Sequence, residues 1–292
     1  MKIKLTRPDF IFQFFLYGFM LIVCFTMLYP FWYLLINSLS VKLNANYSLI
    51  PKEISFDNYF RVFANPFILT GYKSTLTRVI LGTALTLVFT IATAYPLSKK
   101  YFPDRTFWTG YMVFTMFFGG GLIPTFLLIR SLGITDTIWA LVLPGLILTY
   151  SMLIMRNFFM SIPAELEESA RMDGANDIVI LIRIIIPVST PIIATITLWS
   201  MVGHWNSWFD SMIYIRTPAR HVLQQVLRRI VLEGSTQFWE AMGDIDPNLA
   251  VITNTESIKA ATIMVATIPI LCVYPFLQKY FVKGIMVGSL KG

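Results

Sequence analysis

The sequence predicts an all-α, polytopic membrane protein with six transmembrane helices. Of its 292 residues, 56% are apolar and only 13% are charged, against about 25% charged in an average soluble domain. Six apolar runs are each long enough to cross a hydrocarbon core, which takes about 20 residues of helix. So few charges cannot cover a soluble domain of this size, so the composition excludes a soluble enzyme and a disordered chain.

The first apolar run is too long for a signal-peptide core and lacks a cleavage site, so it is predicted to remain as a membrane anchor. Pro144 falls inside the fourth run, and two prolines fall inside the sixth. The predicted spans cover about 10–36, 79–97, 107–129, 138–155, 188–209 and 260–277.

Three consecutive glycines and a proline interrupt the third span at Gly119, Gly120, Gly121 and Pro124. An irregular backbone at membrane depth is tolerated only where protein or water covers it. A hinge, a cavity lining and close helix packing are all consistent with this pattern.

The net charge of +7 comes mainly from basic residues that lie between the apolar runs. This placement favours a role in orienting the chain in the bilayer over nucleic-acid binding. The dense cluster of Lys99, Lys100 and Arg105 indicates the cytoplasmic side, and six spans put both termini on that side. We therefore expect both termini to be cytoplasmic.

The predicted spans contain no Asp, Glu, Lys or Arg, and His204 is their one titratable group besides Tyr and Cys. Ion-coupled carriers usually hold ionisable groups at membrane depth, and membrane enzymes need carboxylates, a nucleophile with a base, or metal ligands. Cys24 and Cys272 lie in apolar runs and suggest no disulfide or metal site. A carrier of polar solutes and an enzyme acting on lipid-linked glycans remain the alternatives to a transport subunit powered by another chain.

The 156–187 loop is the longest cytoplasmic segment and predicts two helices joined by a turn. Ser161 is expected to cap the first helix, and Asp173–Gly174 is expected to end it, because Gly accepts the backbone geometry of a sharp stop. The second helix is predicted over about 176–186, where Pro187 stops it. On these features alone, a solvated connector with good caps is the favoured interpretation.

The run from Glu168 to Ala175, with Pro187 twelve residues later, resembles the EAA loop of type I ABC importer permeases. Ser169, Leu181 and Ile186 depart from the family pattern, which has Ala, Phe and Leu there, and the changes in size are mild.

Three further segments, 94–100, 118–124 and 274–288, resemble carbohydrate importer permeases. The likeness is strongest to the second, MalG-like subunit, in the aldouronate- and alginate-type group that handles acidic oligosaccharides. It implies a single transmembrane domain over 1–292, with a core of 70–285 and an external loop of 211–257, in the bacterial cytoplasmic (inner) membrane.

The resemblance implies that the 156–187 loop forms a coupling helix, which docks in a cleft of a cytoplasmic ATPase. It also implies that the tail, at Gly284, Gly288 and Ser289, reaches the ATPase; a positively charged anchor for the last span is the alternative reading. The implied ATPase-coupling residues are Glu168, Ser169, Ala170, Asp173, Gly174 and Ala175. A surface acid at Glu168 and a plain helix C-cap at Gly174 are the alternatives.

The partners implied are a second, homologous permease in a heterodimer, two ATPase subunits and an extracytoplasmic substrate-binding protein, met by about 233–248. This chain has no GxxxxGK[ST] loop, so ATP and Mg are expected on the ATPase, and no cofactor or metal is expected on this chain.

The end of the fifth span offers the best candidates for a sugar-contacting surface. Aromatic rings stack on sugars, and Asn or His can bond hydroxyl groups. Trp205 and Trp208 are three residues apart and are expected to share one helix face, although tryptophans near a span end also serve as interfacial anchors. The candidate residues are Trp199, His204, Trp205, Asn206 and Trp208.

Overall fold

The structure is a computed structural model that describes residues 7–40, 54–232 and 256–272. In these ranges the regular elements are helices, apart from one antiparallel bridge between Ser40 and Ile54. The helices are α1 (Arg7–Leu39), α2 (Asp57–Ala64), α3 (Pro66–Ser98), α4 (Arg105–Phe117), α5 (Leu122–Ser131), α6 (Ile138–Val142), α7 (Thr149–Met160), α8 (Ala164–Met172), α9 (Asp177–Ile180), α10 (Ile186–Val188), α11 (Thr190–Asn206), α12 (Phe209–Tyr214), α13 (Leu223–Leu232) and α14 (256–272).

The chain forms two compact units. The first comprises Met1–Asn65 with Arg229–Thr267, and the second comprises Pro66–Arg228 with Ile268–Gly292. In the first unit, α2 is tied to the end of α1: the Asn58 amide donates to the carbonyl oxygens of Ser38 and Ser40 at 3.0 and 3.1 Å.

Two described helices, α1 and α3, are long and apolar enough to cross a membrane unaided. Three bent pairs of helices are long and apolar enough only when taken together: α4 with α5 at 109°, α6 with α7 at 52°, and the helical segment 177–188 with α11 at 81°. Counting each bent pair as one span gives up to five among the described residues. The sixth predicted span lies partly outside them, and α14 begins at 256, earlier than expected.

The breaks fall where glycine and proline predict them. Gly121 has φ +84°, a backbone conformation that favours glycine, and α5 starts directly after it. Pro144 lies in a single 3₁₀ turn, Leu143–Gly145, that separates α6 from α7. Chain direction therefore changes within the third and fourth predicted spans.

The predicted start of the second span, at residue 79, is wrong. Helix α3 starts at Pro66 and carries Lys73 and Arg78, so the expectation of spans without charged residues is wrong for this helix. Lys73 is exposed, whereas Arg78 is 3% exposed. A buried guanidinium needs partners inside the protein, and these partners define one of the two sites below.

One apolar cluster joins α3, α7 and α11 near the 156–187 loop. Its fully buried members include Ala94, Met152, Phe159, Ile185 and Ile196. The Tyr95 and Phe159 rings meet edge to face, with centroids 6.3 Å apart. This packing gives the 156–187 loop a rigid base.

Candidate functional site

The turn that ends α8 has the predicted geometry. Gly174 has φ +83°, its N–H donates to the Arg171 carbonyl at 2.9 Å, and the Ala175 N–H donates to the Ala170 carbonyl at 2.9 Å. These two bonds form a Schellman motif with glycine at the left-handed position. The Asp173–Gly174 turn is confirmed.

The predicted cap is wrong. The Ser161 hydroxyl donates to the Phe158 carbonyl at 2.7 Å, and α8 begins only after Pro163. Ser161 therefore belongs to the last turn of α7, because the chain has not yet left that helix when it reaches this residue.

The six residues singled out for the ATPase divide into two sets. Ala170 and Ala175 are half-buried and pack against the apolar cluster, where small side chains allow close approach. The remaining four residues, Glu168, Ser169, Asp173 and Gly174, are exposed. The turn is thus pressed against the protein on one face and presents acidic and small groups on the other.

A buried ion pair fastens α8 to the end of α3. Lys99 pairs with Glu167, and the two side chains are 8% and 12% exposed. The Lys99 ammonium also lies 4.4 Å from the centroid of the Tyr95 ring, within the range of a cation–π contact. Because α8 has no buried residue of its own, this pair is a principal attachment of the helix.

A second, more exposed attachment lies beside the first. The Tyr101 hydroxyl donates to the Asp177 carboxylate at 2.9 Å and accepts from Arg171 at 2.5 Å, and Arg171 also pairs with Asp177 at 2.7 Å. Burial and the bond to Asp177 raise the pKa of Tyr101. The basic cluster at 99–105 thus holds the loop as well as indicating topology, a role that its charge pattern alone did not reveal.

The second helix of the loop is less regular than predicted. The Asn176 side chain caps it by accepting from the Val179 N–H at 2.9 Å. After α9, Leu181–Ile185 forms a π-helical turn before α10. Widened turns of this kind are frequent at functional sites, and this one lies between the Asp173–Gly174 turn and α11.

A cavity of about 330 Å³ lies in the second unit, between α3, the α6–α7 connection, α11 and α12. Arg78 lines it and bonds three elements: its Nη1 donates to Asp210 at 3.0 Å, its Nη2 to the Leu141 carbonyl at 3.2 Å, and its Nε to His204 Nδ1 at 3.4 Å. Nη2 also pairs with the second Asp210 oxygen.

Arg78 precedes the end of α3 by 20 residues, or about 30 Å of helix. That distance matches the thickness of the hydrocarbon core. Arg78 and Lys99 are therefore separated along the helix by about the thickness of the hydrocarbon core. Arg78 and Asp210 both stand just beyond the predicted spans, which explains why they were missed.

Of the five candidate solute-contacting residues, the structure places Trp199 and His204 at the cavity. Trp205 is buried with its ring 6.3 Å from that of Tyr72, and Asn206 is exposed. The expectation that Trp205 and Trp208 share a helix face is wrong, because α11 ends at Asn206.

Trp208 instead lies under a cation. The Arg228 guanidinium carbon is 3.7 Å from the centroid of its ring, which joins the start of α12 to α13. Helix α13 begins at Leu223, and its first N–H, from that residue, donates to the Thr75 hydroxyl on α3 at 2.8 Å. The loop tip at 233–248 and the tail residues Gly284, Gly288 and Ser289 lie outside the described residues.

Asp136 fixes the chain that leads into α13. It accepts from the backbone N–H groups of Arg216 and Thr217, both at 3.0 Å, and pairs with Arg220 at 3.1 Å. Burial alone would raise its pKa, but the bonds from Thr217 and Arg216 and the charge of Arg220 lower it. Among the described residues, no group of three or more His, Cys, Asp or Glu side chains could hold a metal ion.

Comparison with known proteins places this geometry in context. Residues 100–287 match the family model described as "Binding-protein-dependent transport system inner membrane component". The chain is 40% identical over 266 residues to protein LplC of Bacillus subtilis (strain 168), covering 90% of this chain and 89% of the relative. It is 39% identical over 290 residues to the polygalacturonan/rhamnogalacturonan transport system permease protein YtcP of the same organism, covering 97% and 99%.

Two solved structures share the fold. A chain of a bacterial ABC transporter involved in the import of the acidic polysaccharide alginate superposes with a TM-score of 0.86 at 32% identity, covering 96% of this chain and 100% of that chain. A chain from the alginate ABC transporter in complex with an alginate pentasaccharide-bound periplasmic protein superposes with a TM-score of 0.60 at 16% identity, covering 92% and 94%.

Proposed function

This chain belongs to the family of binding-protein-dependent transport system inner membrane components, and we propose that it couples carbohydrate import to a separate ATPase through its 156–187 loop. It is a non-enzymatic, multi-pass inner-membrane subunit of a carbohydrate ABC importer with the type I importer fold. The carrier and membrane-enzyme alternatives are not supported by this membership.

The observation that carries the coupling proposal is the two-sided environment of α8. Its inner side is held by the Lys99–Glu167 pair and by Ala170 packed against the apolar cluster. Its outer side leaves Glu168 and Asp173 exposed, and Met172 is 88% exposed. A rigidly held helix with an apolar and acidic outer surface suits docking on a partner, because a push on it reaches the spans directly.

The remaining partners are proposals that follow from the family. ATP and Mg are held by two cytoplasmic ATPase subunits, and a second, homologous permease completes the pathway as a heterodimer. A substrate-binding protein meets the external loop at about 233–248. The tail, with Gly284, Gly288 and Ser289, reaches the ATPase. Both termini and the 156–187 loop face the cytoplasm, as the cluster at 99–105 predicts.

The transported carbohydrate is proposed to be an oligosaccharide of acidic type. Support comes from two similar proteins, one described as a polygalacturonan/rhamnogalacturonan permease and one from an alginate importer. The solute is proposed to pass the cavity lined by Trp199 and His204, while Trp205, Asn206 and Trp208 are left as candidates that do not line it.

Two variants test the docking role. Asp173→Arg reverses an exposed charge, and Gly174→Pro removes the N–H that closes the turn. Both are expected to leave the protein inserted in the membrane and to abolish co-purification of the ATPase and ATP-driven uptake. Asp57→Arg, an exposed acid at the start of α2, is the matched control. Normal uptake by both loop variants would exclude the assignment.

The side of the membrane is tested separately. In a Cys24→Ser, Cys272→Ser background, a cysteine introduced at Glu168 should resist a membrane-impermeant thiol reagent in whole cells and react in inverted vesicles. Labelling in whole cells would place the loop outside, where no ATPase can reach it.

A further inference from the structure

Two arginines lie close together where α4 begins and α7 ends. Arg105 is the first residue of α4, Arg156 lies near the end of α7, and both are half-buried. Helix α4 opens one apolar bent pair and α7 closes the next. Because consecutive spans run in opposite directions, these two helix ends share one membrane boundary. Arg105 is near enough for its positive charge to disfavour that of Arg156, so the pair needs a negative group beside it.

The described part of the protein does not supply that negative group. Neither arginine forms an ion pair with a described carboxylate. Arg156 bonds neutral oxygens instead: its Nε donates to the Leu97 carbonyl at 2.8 Å, and its Nη1 to the Asn157 side-chain oxygen at 3.4 Å. The two charges are therefore left uncompensated by the chain around them.

The guanidinium nitrogens differ in how far they can be reached. Arg105 Nη1 is enclosed and has no hydrogen-bond partner among the described residues, so it cannot meet a ligand itself. The Nη2 atoms of both arginines are not enclosed, and neither bonds a described residue. These two open donors can reach an anion that lies beside α4 and α7.

The surface that continues from Arg105 along α4 is aromatic. Helix α4 has no buried residue, and Phe107, Trp108 and Tyr111 are 65%, 47% and 53% exposed. The Trp108 ring meets those of Phe107 and Tyr111 edge to face, with centroids 5.4 and 6.3 Å apart. Trp108 follows Arg105 by three residues, so the two side chains share one helix face. Trp and Tyr favour the headgroup level of a bilayer, and hydrocarbon lies beyond it.

We propose that Arg105 and Arg156 bind the phosphate of one anionic phospholipid, whose acyl chains run along the aromatic face of α4 at Trp108 and Tyr111. The phosphate oxygens accept charge-assisted hydrogen bonds from the open Nη2 atoms. Lys100, exposed in the short connection before α4, adds to the positive charge of the site. Basic pockets between membrane helices are suited to acidic headgroups. The bound lipid joins α4 to α7 beside the 156–187 loop.

The first test titrates the purified full-length chain, in detergent, with dioleoyl phosphatidylglycerol and follows binding by native mass spectrometry. One lipid should bind more tightly than the rest. Arg105→Gln should weaken this binding about tenfold, the effect of losing a charge-assisted hydrogen bond, and Arg105→Lys should recover most of it because the charge is kept. The matched control is Arg130→Gln, an exposed arginine in the last turn of α5, which should bind as the wild type does.

The second test identifies the source of the phosphate. Dioleoyl phosphatidylcholine carries the same phosphate beside a positive choline group, so its headgroup has no net charge and it should bind about tenfold more weakly. Inorganic phosphate in large excess should not displace phosphatidylglycerol, because it lacks the acyl chains that contact α4.

The third test needs no variant. Phosphatidylglycerol with a photoreactive diazirine in its acyl chain should label α4 near Trp108 in the wild-type chain. Unlabelled phosphatidylglycerol should suppress this labelling, and phosphatidylcholine should not. If Arg105→Gln does not fold, the headgroup comparison and the photolabelling decide.

Equal affinities of the wild type and folded Arg105→Gln, equal binding of the two lipids, displacement by inorganic phosphate, or labelling that spares α4 would each overturn the proposal. These measurements involve neither ATPase nor saccharide, so their outcome is independent of the import function proposed above.

Discussion

The attachment of α8 to α3 can be tested through the Lys99–Glu167 pair. Lys99→Met keeps most of the aliphatic stem but leaves the Glu167 carboxylate without its partner in a site where the two side chains are 8% and 12% exposed. Removing one partner of a buried ion pair costs about 3–5 kcal/mol, and the partial exposure of Glu167 favours the lower value. Loss of the ammonium over Tyr95 adds about 0.5–1 kcal/mol.

A local loss of about 3 kcal/mol corresponds to roughly a hundredfold change in an equilibrium constant. Because α8 has no buried residue, most of this change should appear as release of α8 rather than as global unfolding. We therefore expect faster hydrogen–deuterium exchange at 164–172 and an ATPase affinity that falls in proportion to the attached population.

The double variant Lys99→Met, Glu167→Leu replaces the pair with apolar side chains. It should recover most of the lost stability, since apolar replacements of buried pairs are often neutral. Lys100→Met is the matched control, because Lys100 is exposed next to Lys99. Equal exchange rates and equal ATPase affinities for Lys99→Met and Lys100→Met would refute the attachment.

Three further predictions concern two glycines and the Asp136 carboxylate. Gly174→Ala strains a residue at φ +83° by about 1 kcal/mol and should weaken ATPase association, whereas Gly133→Ala, at φ +70° in another turn, should leave it normal. Gly82→Ala would place Cβ 2.5 Å from His204 Nε2, so thermal unfolding should show a loss of about 1–3 kcal/mol; equal stability to Gly203→Ala, which meets nothing within 4 Å, would contradict the close packing. The folded state lowers the pKa of Asp136, so the ionised carboxylate stabilises the folded protein above the ordinary carboxyl pKa of about 4, and this stabilisation is lost as the pH falls through the lower folded value. The melting temperature of Asp136→Asn should therefore fall less on acidification than that of the wild type. An equal fall in both proteins would exclude Asp136 as a source of the acid sensitivity.

Local features were predictable because they depend on neighbours in sequence. The Asp173–Gly174 turn and the break at Gly121 follow from the backbone freedom of glycine. Each is present in the structure. The prediction that Ser161 caps α8 was wrong because a residue can cap a helix only if the preceding helix has already ended.

The positions of buried charges were not predictable. A hydropathy pattern places the limits of a span next to the nearest charged residues. The second predicted span therefore began just after Arg78, and the fifth ended just before Asp210. In the structure these two residues lie 132 positions apart in sequence and are bonded. Pairing offsets the penalty of burying each charge alone. A hydropathy pattern does not show which charged residues will pair, so it cannot identify charges that the fold buries.

The sequence by itself therefore determined that this chain is a helical membrane protein with a helix–turn–helix loop between its fourth and fifth predicted spans. Only the tertiary structure decided how that loop is held and which side chains share the cavity. Hydrophobic runs and glycine turns act locally, whereas an ion pair such as Lys99–Glu167, 68 residues apart, exists only once helices have packed. The structural role of a side chain in such a pair depends on a partner that is distant in sequence and becomes a neighbour only in the folded protein.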